Sequence, residues 1–147
     1  MDFRTQFQVT TLICLLLWSF GQAMETHAEV VLVVNPSVTI RELAPTYARA
    51  IFGIRLRNWP NGERISVFVL PDDSPVHAQF IKQKLSIFPH QLRLAWNRLE
   101  FAGIGQAPTT VLTQAEMRDR IAGTTGAIGY LSEEMVDNSV RVVKILQ

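Results

Sequence analysis

Ser74 stands at the position whose chemistry is easiest to read. It follows the apolar run Arg64 to Leu70 (Arg-Ile-Ser-Val-Phe-Val-Leu), which has the composition of a strand, and the turn Pro71-Asp72-Asp73. Pro75 comes next, where a helix takes its first residue, and His77, Phe80, Ile81 and Leu85 continue at helical spacing. A hydroxyl beside free main-chain N–H groups at a helix N-terminus suits an oxyanion, because those N–H groups lack helical partners and the helix dipole favours negative charge there. The same position is where a helix uses Ser or Asp as its cap. Ser37 and Thr39 follow another apolar run, Glu29 to Val34, and offer hydroxyls at the C-terminal end of a strand, where open α/β sheets bind ligands. They too are good capping residues. Asp73, with Asp72, brings negative charge to the Ser74 loop and works against an anion held there.

Other constellations are weaker. No Ser-His-Asp set stands in a recognisable context, and the adjacent Glu133-Glu134 pair points in diverging directions, so no catalytic residue is assigned. His77 and His90 lack partners at metal-ligand spacing, and no metal site is expected. Gly103-Ile104-Gly105 lacks the third glycine and the upstream strand of a dinucleotide loop, and no cofactor is implied. Arg55, Arg57 and Arg64 surround Trp59 in sequence. They read either as a solvated loop with an arginine stacked on the indole or as a basic patch for an anion.

The N-terminus reads as an export signal. Arg4 supplies the basic start, Val9 to Phe20 forms an apolar stretch too short to span a membrane, and Gly21-Gln22-Ala23 is a small-residue cleavage site. Thr26-His27-Ala28 is an alternative site five residues on. Cleavage at Ala23 makes residues 1–23 a signal peptide and 24–147 one domain of periplasmic destination. It also removes Cys14, the chain's one cysteine, and with it any disulfide or thiolate chemistry. Ile13 before Cys14 argues against lipidation. A formal net charge of +1 argues against nucleic acid as a partner.

The elements that must position these groups alternate between strand and helix, which indicates an α/β fold with a parallel or mixed sheet. Glu29 to Val34 reads as a strand buried on both faces. A helix is expected from Ile40 to Phe52, capped by Thr39 and Glu42, with Pro45 either delaying its start or kinking it. Pro89 opens a helix carrying Leu92, Trp96 and Leu99, and Thr113 with Glu116 caps another that stops at Gly123. Ala127 to Leu131 and Val140 to Leu146 are further strands. Trp59 is expected to pack against the end of the helix carrying Ile51 and Phe52 and to lock the Pro60-Asn61-Gly62 turn.

Two stretches carry a family resemblance. Ile51-Phe52, Gly53, Trp59 and Gly62 resemble the "IF-x-G-x-x-x-x-W-x-x-G" segment of the substrate-binding proteins of bacterial phosphate ABC importers. Gly126-Ala127-Ile128-Gly129-Tyr130 resembles their "G-A-I-G-Y" strand. The resemblance implies a type II periplasmic-binding-protein-like lobe, with a mixed or parallel sheet and flanking helices. It implies one lobe of a family that closes two lobes on phosphate. That family's ligand loop, Arg-x-x-x-Ser-Gly-Thr, aligns with Leu70 to Val76. Ser74 matches, while Leu70, Pro75 and Val76 replace the Arg, Gly and Thr. The function implied is weak, non-enzymatic binding of a small oxyanion such as phosphate, with Ser74, Asp73, Ser37 and Thr39 at the site. An ABC permease or a periplasmic or membrane sensor is the implied partner. The alternative is an accessory or interaction protein that keeps the fold without binding a ligand.

Overall fold

The computed structural model describes residues 28–146. The expected leader, its Ala23 cleavage site, Cys14 and His27 lie outside them. The β-branched run after Glu29 becomes β1 (Val30–Val34). Next come the two-residue strand β2 (Glu42–Leu43), helix α1 (Pro45–Phe52), β3 (Ser66–Val69), α2 (Pro75–Lys84) and α3 (Pro89–Phe101). The chain continues through β4 (Thr109–Thr110), α4 (Gln114–Gly123), β5 (Ala127–Ser132), a 3-10 turn (Glu133–Met135) and β6 (Arg141–Ile145). Helices α1, α2 and α3 each begin on a proline, where its missing N–H costs nothing and its fixed φ already suits the helix.

Proline also decides where α1 starts. Residues 39 to 44 do not coil. Glu42–Leu43 pairs with β6 instead, and Ala44, the residue before Pro45, is extended with φ −66° and ψ 146°. Thr39 and Glu42 therefore form no capping box, and of the two expected outcomes the delayed start is the one taken.

The strands form one sheet in the order β2-β6-β1-β5-β3-β4. Pairs β2–β6, β3–β5 and β3–β4 are parallel, whereas β1 is antiparallel to both β5 and β6. It follows that β1 alone runs against the other five. It lies between β5 and β6, and Leu32 has Tyr130 opposite it on one side and Val143 on the other. The fold is the expected α/β class with a mixed sheet.

The glycines of the Gly126-to-Tyr130 stretch have separate reasons. Gly126 sits at φ +70°, and a Cβ there would stand 2.3 Å from the carbonyl oxygen of Arg64. A Cβ on Gly129 would stand 2.6 Å from Met117 Sδ and 2.7 Å from Ile121 Cδ1, so its absence lets α4 lie close on the sheet. Below α1 and α2 the rings of Phe52, Phe80 and Tyr130 pack together, with Phe80 and Tyr130 stacked at 4.2 Å. Trp96 is buried, and its Nε1–H donates to the Phe52 carbonyl at 2.7 Å. Trp96 thus ties α3 to the end of α1. The indole of Trp59 is buried as expected, but its Nε1–H donates to the Gly126 carbonyl at 3.0 Å. No helix among the described residues is long and apolar enough to cross a membrane.

Candidate functional site

The loop leaving β3 turns sharply into α2. Ser74 N–H donates to the Pro71 carbonyl at 2.9 Å, and Ser74 Oγ accepts from His77 N–H at 3.4 Å, so Ser74 is the N-cap of α2. Pro75 contributes no N–H. Asp72 reaches over this helix start to Arg93 of α3. Arg93 Nε and Nη2 donate to the two carboxylate oxygens at 2.8 and 2.7 Å, a bidentate pair. The guanidinium is held from its other side by the Trp96 ring, 4.8 Å from Cζ to centroid. Hydrogen bonding from Arg93 holds the Asp72 carboxyl below its usual range, and Asp72 raises Arg93 in return.

A buried layer lies beneath the ion pair. His77 is 1% exposed, and its Nδ1 bonds the Tyr130 hydroxyl, which also accepts from Leu70 N–H at 2.8 Å. The other ring nitrogen, Nε2, lies 3.8 Å from Asp72 Oδ1. Burial raises the Tyr130 pKa well above its ordinary value, so the phenol keeps its proton.

Burial also lowers the His77 pKa, outweighing the pull of Asp72. The folded chain therefore resists a proton that the unfolded chain accepts near the ordinary histidine value of about 6.5. Stability should be full above that pH and fall as pH drops through it toward the lower folded value. The Asp72–Arg93 pair acts in a separate window, because Asp72 is lowered and its contribution persists until the carboxylate range is reached. Thermal melts from pH 8 to 5 should show the histidine-dependent loss, and His77→Gln should flatten it.

Among the sequence candidates, Ser74 and Asp73 stand together at the C-terminal end of β3. Ser37 and Thr39 do not join them. They follow β1, which runs against β3, and so lie at the opposite end of the sheet. Ser37 Oγ accepts from Gly126 N–H at 3.1 Å and Thr39 is exposed. The reversal of β1 thus keeps them away from the Ser74 loop, with which the resemblance had grouped them.

The residue that sequence reasoning missed is Arg93. Leu70 stands where an arginine was sought, yet a guanidinium reaches the same loop from α3. The available signal was Arg93-x-x-Trp96, one helical turn, which can support a stacked arginine. Glu133 and Glu134 are exposed, as is His90. Among the described residues no group of three or more His, Cys, Asp or Glu side chains is placed to hold a metal ion.

No family model matches the sequence, and no curated protein matches it significantly. Solved structures do match. An ABC-type phosphate transport receptor from Vibrio cholerae superposes with a TM-score of 0.63 at 17% identity, over 79% of this chain and 45% of that one. A protein from Clostridium perfringens with bound phosphate, described as a phosphate ABC transporter substrate-binding protein, gives 0.62 at 19% over 79% and 44%. PstS from Borrelia burgdorferi gives 0.59 at 13% over 79% and 46%. The chain has the fold of these phosphate-transport binding proteins. It spans less than half the length of each, as a single lobe of a two-lobed protein does. At such identities the likeness is one of fold, and the chemistry rests on the residues. Within this binding-protein fold, the β3–α2 loop with Ser74 is the stretch that aligned with the family's ligand loop. Here it carries an internal carboxylate–guanidinium pair.

Proposed function

We propose that this chain is an exported, periplasmic solute-binding protein, residues 24–147 after loss of its leader. It takes a small oxyanion of the phosphate class weakly at the start of α2. The observation that carries the reading is the Asp72–Arg93 pair. Arg93 already grips a planar oxyanion, the Asp72 carboxylate, with two hydrogen bonds beside a helix N-terminus. Phosphate presents the same acceptor geometry and carries more charge. To bind, it must displace Asp72 from Arg93 and tolerate Asp73, which keeps affinity low. The Ser74 hydroxyl and the Val76 N–H would supply the remaining donors, since Pro75 has no N–H and those of His77 and Ala78 are bonded to Ser74. The protein acts as a binding module rather than an enzyme, in keeping with neighbours named as transport proteins, and its partner is an ABC permease or a periplasmic or membrane sensor.

Calorimetric titration of the full-length chain with phosphate and sulfate tests this. A dissociation constant between micromolar and millimolar is expected, about −8 to −4 kcal/mol. Asp72→Asn keeps the side chain's shape but releases Arg93 from a charged competitor. It should tighten phosphate binding by about tenfold or more, the scale of one charge-assisted contact. Arg93→Gln should weaken binding by a similar factor, Ser74→Ala should weaken it, and Asp73→Asn should give a smaller tightening than Asp72→Asn. If neither the wild type nor Asp72→Asn shows heat or thermal stabilisation in tens of millimolar anion, the oxyanion reading is wrong. The interaction protein then becomes the better account.

A further inference from the structure

Alongside β3, from Arg64 to Phe68, lies a half-open cleft of about 550 Å³, lined in part by Arg57, Arg64, Arg120, Ser66 and Gly105. It contains three arginines and no aspartate or glutamate. Among the described residues none of the three makes a salt bridge.

Their convergence is built by the backbone. The chain from Arg57 to Ile65 doubles back at Pro60-Asn61-Gly62, with Gly62 at φ +86°. Asn58 and Arg64 form an antiparallel bridge, and Ile65 N–H donates to the Arg57 carbonyl at 2.8 Å. Arg57 and Arg64 are thereby brought side by side although seven positions apart. The Arg57 guanidinium is then fixed, because Nη2 donates to the Ile104 carbonyl and packs over Gly105, where a Cβ would stand 3.0 Å from it. Arg120 comes from α4, with its Cζ 5.6 Å from the Phe68 ring centroid. Glu63, next to Arg64 in sequence, lies with its side chain over Gly126, where a Cβ would stand 3.2 Å from Glu63 Cγ, and Asp119, next to Arg120, has its carboxylate 3.6 Å from Arg118 Nε.

Like charges gathered from two segments, the Arg57–Ile65 turn and α4, form a positive field without an internal counter-charge in the cleft lining. The space exceeds what a single phosphate fills, and guanidinium forks match oxyanion groups two oxygens at a time. We propose that this cleft binds a compact polyanion bearing two or more oxyanion groups, a polyphosphate or a polycarboxylate. It lies along β3 from Arg64 to Phe68, shares no lining residue with the Pro71-to-Ser74 loop, and does not depend on the reading offered for that site.

The probes are pyrophosphate and citrate, titrated calorimetrically into the full-length chain at low ionic strength. The stronger of the two identifies the source of the oxyanions. Arg64→Gln and Arg120→Gln are the informative variants, since both side chains are exposed and neither holds the loop; unchanged melting confirms folding. Each should weaken the preferred probe about tenfold, as loss of one charge-assisted contact does. Raising salt from about 20 to about 200 mM should weaken wild-type binding severalfold by screening. Measured at about 0.15 M salt, where charges are screened beyond about 8 Å, Asp72→Asn should leave pyrophosphate affinity within about twofold, because Asp72 does not line the cleft. The proposal is overturned if neither probe binds at low salt, if the two arginine variants bind as wild type does, or if Asp72→Asn shifts pyrophosphate as strongly as phosphate.

Discussion

Trp59→Ala should lower the free energy of unfolding by about 3–5 kcal/mol, the range for emptying a buried large aromatic site. The indole is 4% exposed, so alanine would leave a cavity rather than a solvated gap. The substitution also removes the Nε1–H bond to the Gly126 carbonyl at 3.0 Å. That carbonyl keeps a second partner, Ser66 N–H at 3.3 Å, so the hydrogen bond is the smaller part of the loss. Trp59→Phe, which restores most of the volume, should therefore cost only about 1 kcal/mol more than an ideal replacement would. Chemical denaturation at fixed pH measures both. A change under about 0.5 kcal/mol for Trp59→Ala, the scale of ordinary surface substitutions, would show that the ring carries no packing.

Tyr130→Phe should cost nearly as much while removing a single oxygen. That hydroxyl accepts from Leu70 N–H at 2.8 Å and meets His77 Nδ1, and all three groups are buried. Phenylalanine fills the same space but strands two buried polar groups, Leu70 N–H and His77 Nδ1, at about 1–3 kcal/mol for each, or about 2–6 kcal/mol together. A double-mutant cycle separates this from any repacking of the Phe80 stack. In a His77→Leu background one stranded group is already gone, so the cost of Tyr130→Phe should fall. Equal costs in both backgrounds would mean that the hydroxyl and the imidazole are uncoupled.

Both residues belong to motifs visible in the sequence, and the structure gives each its physical reason. Trp59 ties the turn at Pro60-Asn61-Gly62 to the start of β5 through Gly126. Gly126 leaves room for the Arg64 carbonyl, Gly129 admits α4, and Tyr130 closes the polar layer beneath the Asp72–Arg93 pair. The hydrogen bond to the end of α1 comes from Trp96, whose Nε1–H meets the Phe52 carbonyl. Both indoles were readable as core from their surroundings, but which carbonyl each would meet depends on how helices and strands are brought together.

What the sequence by itself determined is local. Prolines 45, 75 and 89 start three helices, Ser74 caps one of them and Thr113 another, and the β-branched run after Glu29 makes the central strand. These outcomes follow from steric and hydrogen-bonding rules that act within four or five residues, so the order of residues is enough to state them. The tertiary structure alone decided that β1 runs against its neighbours, which sends Ser37 and Thr39 to the end of the sheet away from Ser74. It also decided that Arg93 reaches Asp72 across 21 positions, that His77 meets Tyr130 across 53, and that Arg120 joins Arg57 and Arg64 around one cleft. Charges and buried polar groups find partners through space, and that distance is set by how the whole chain closes rather than by spacing along it.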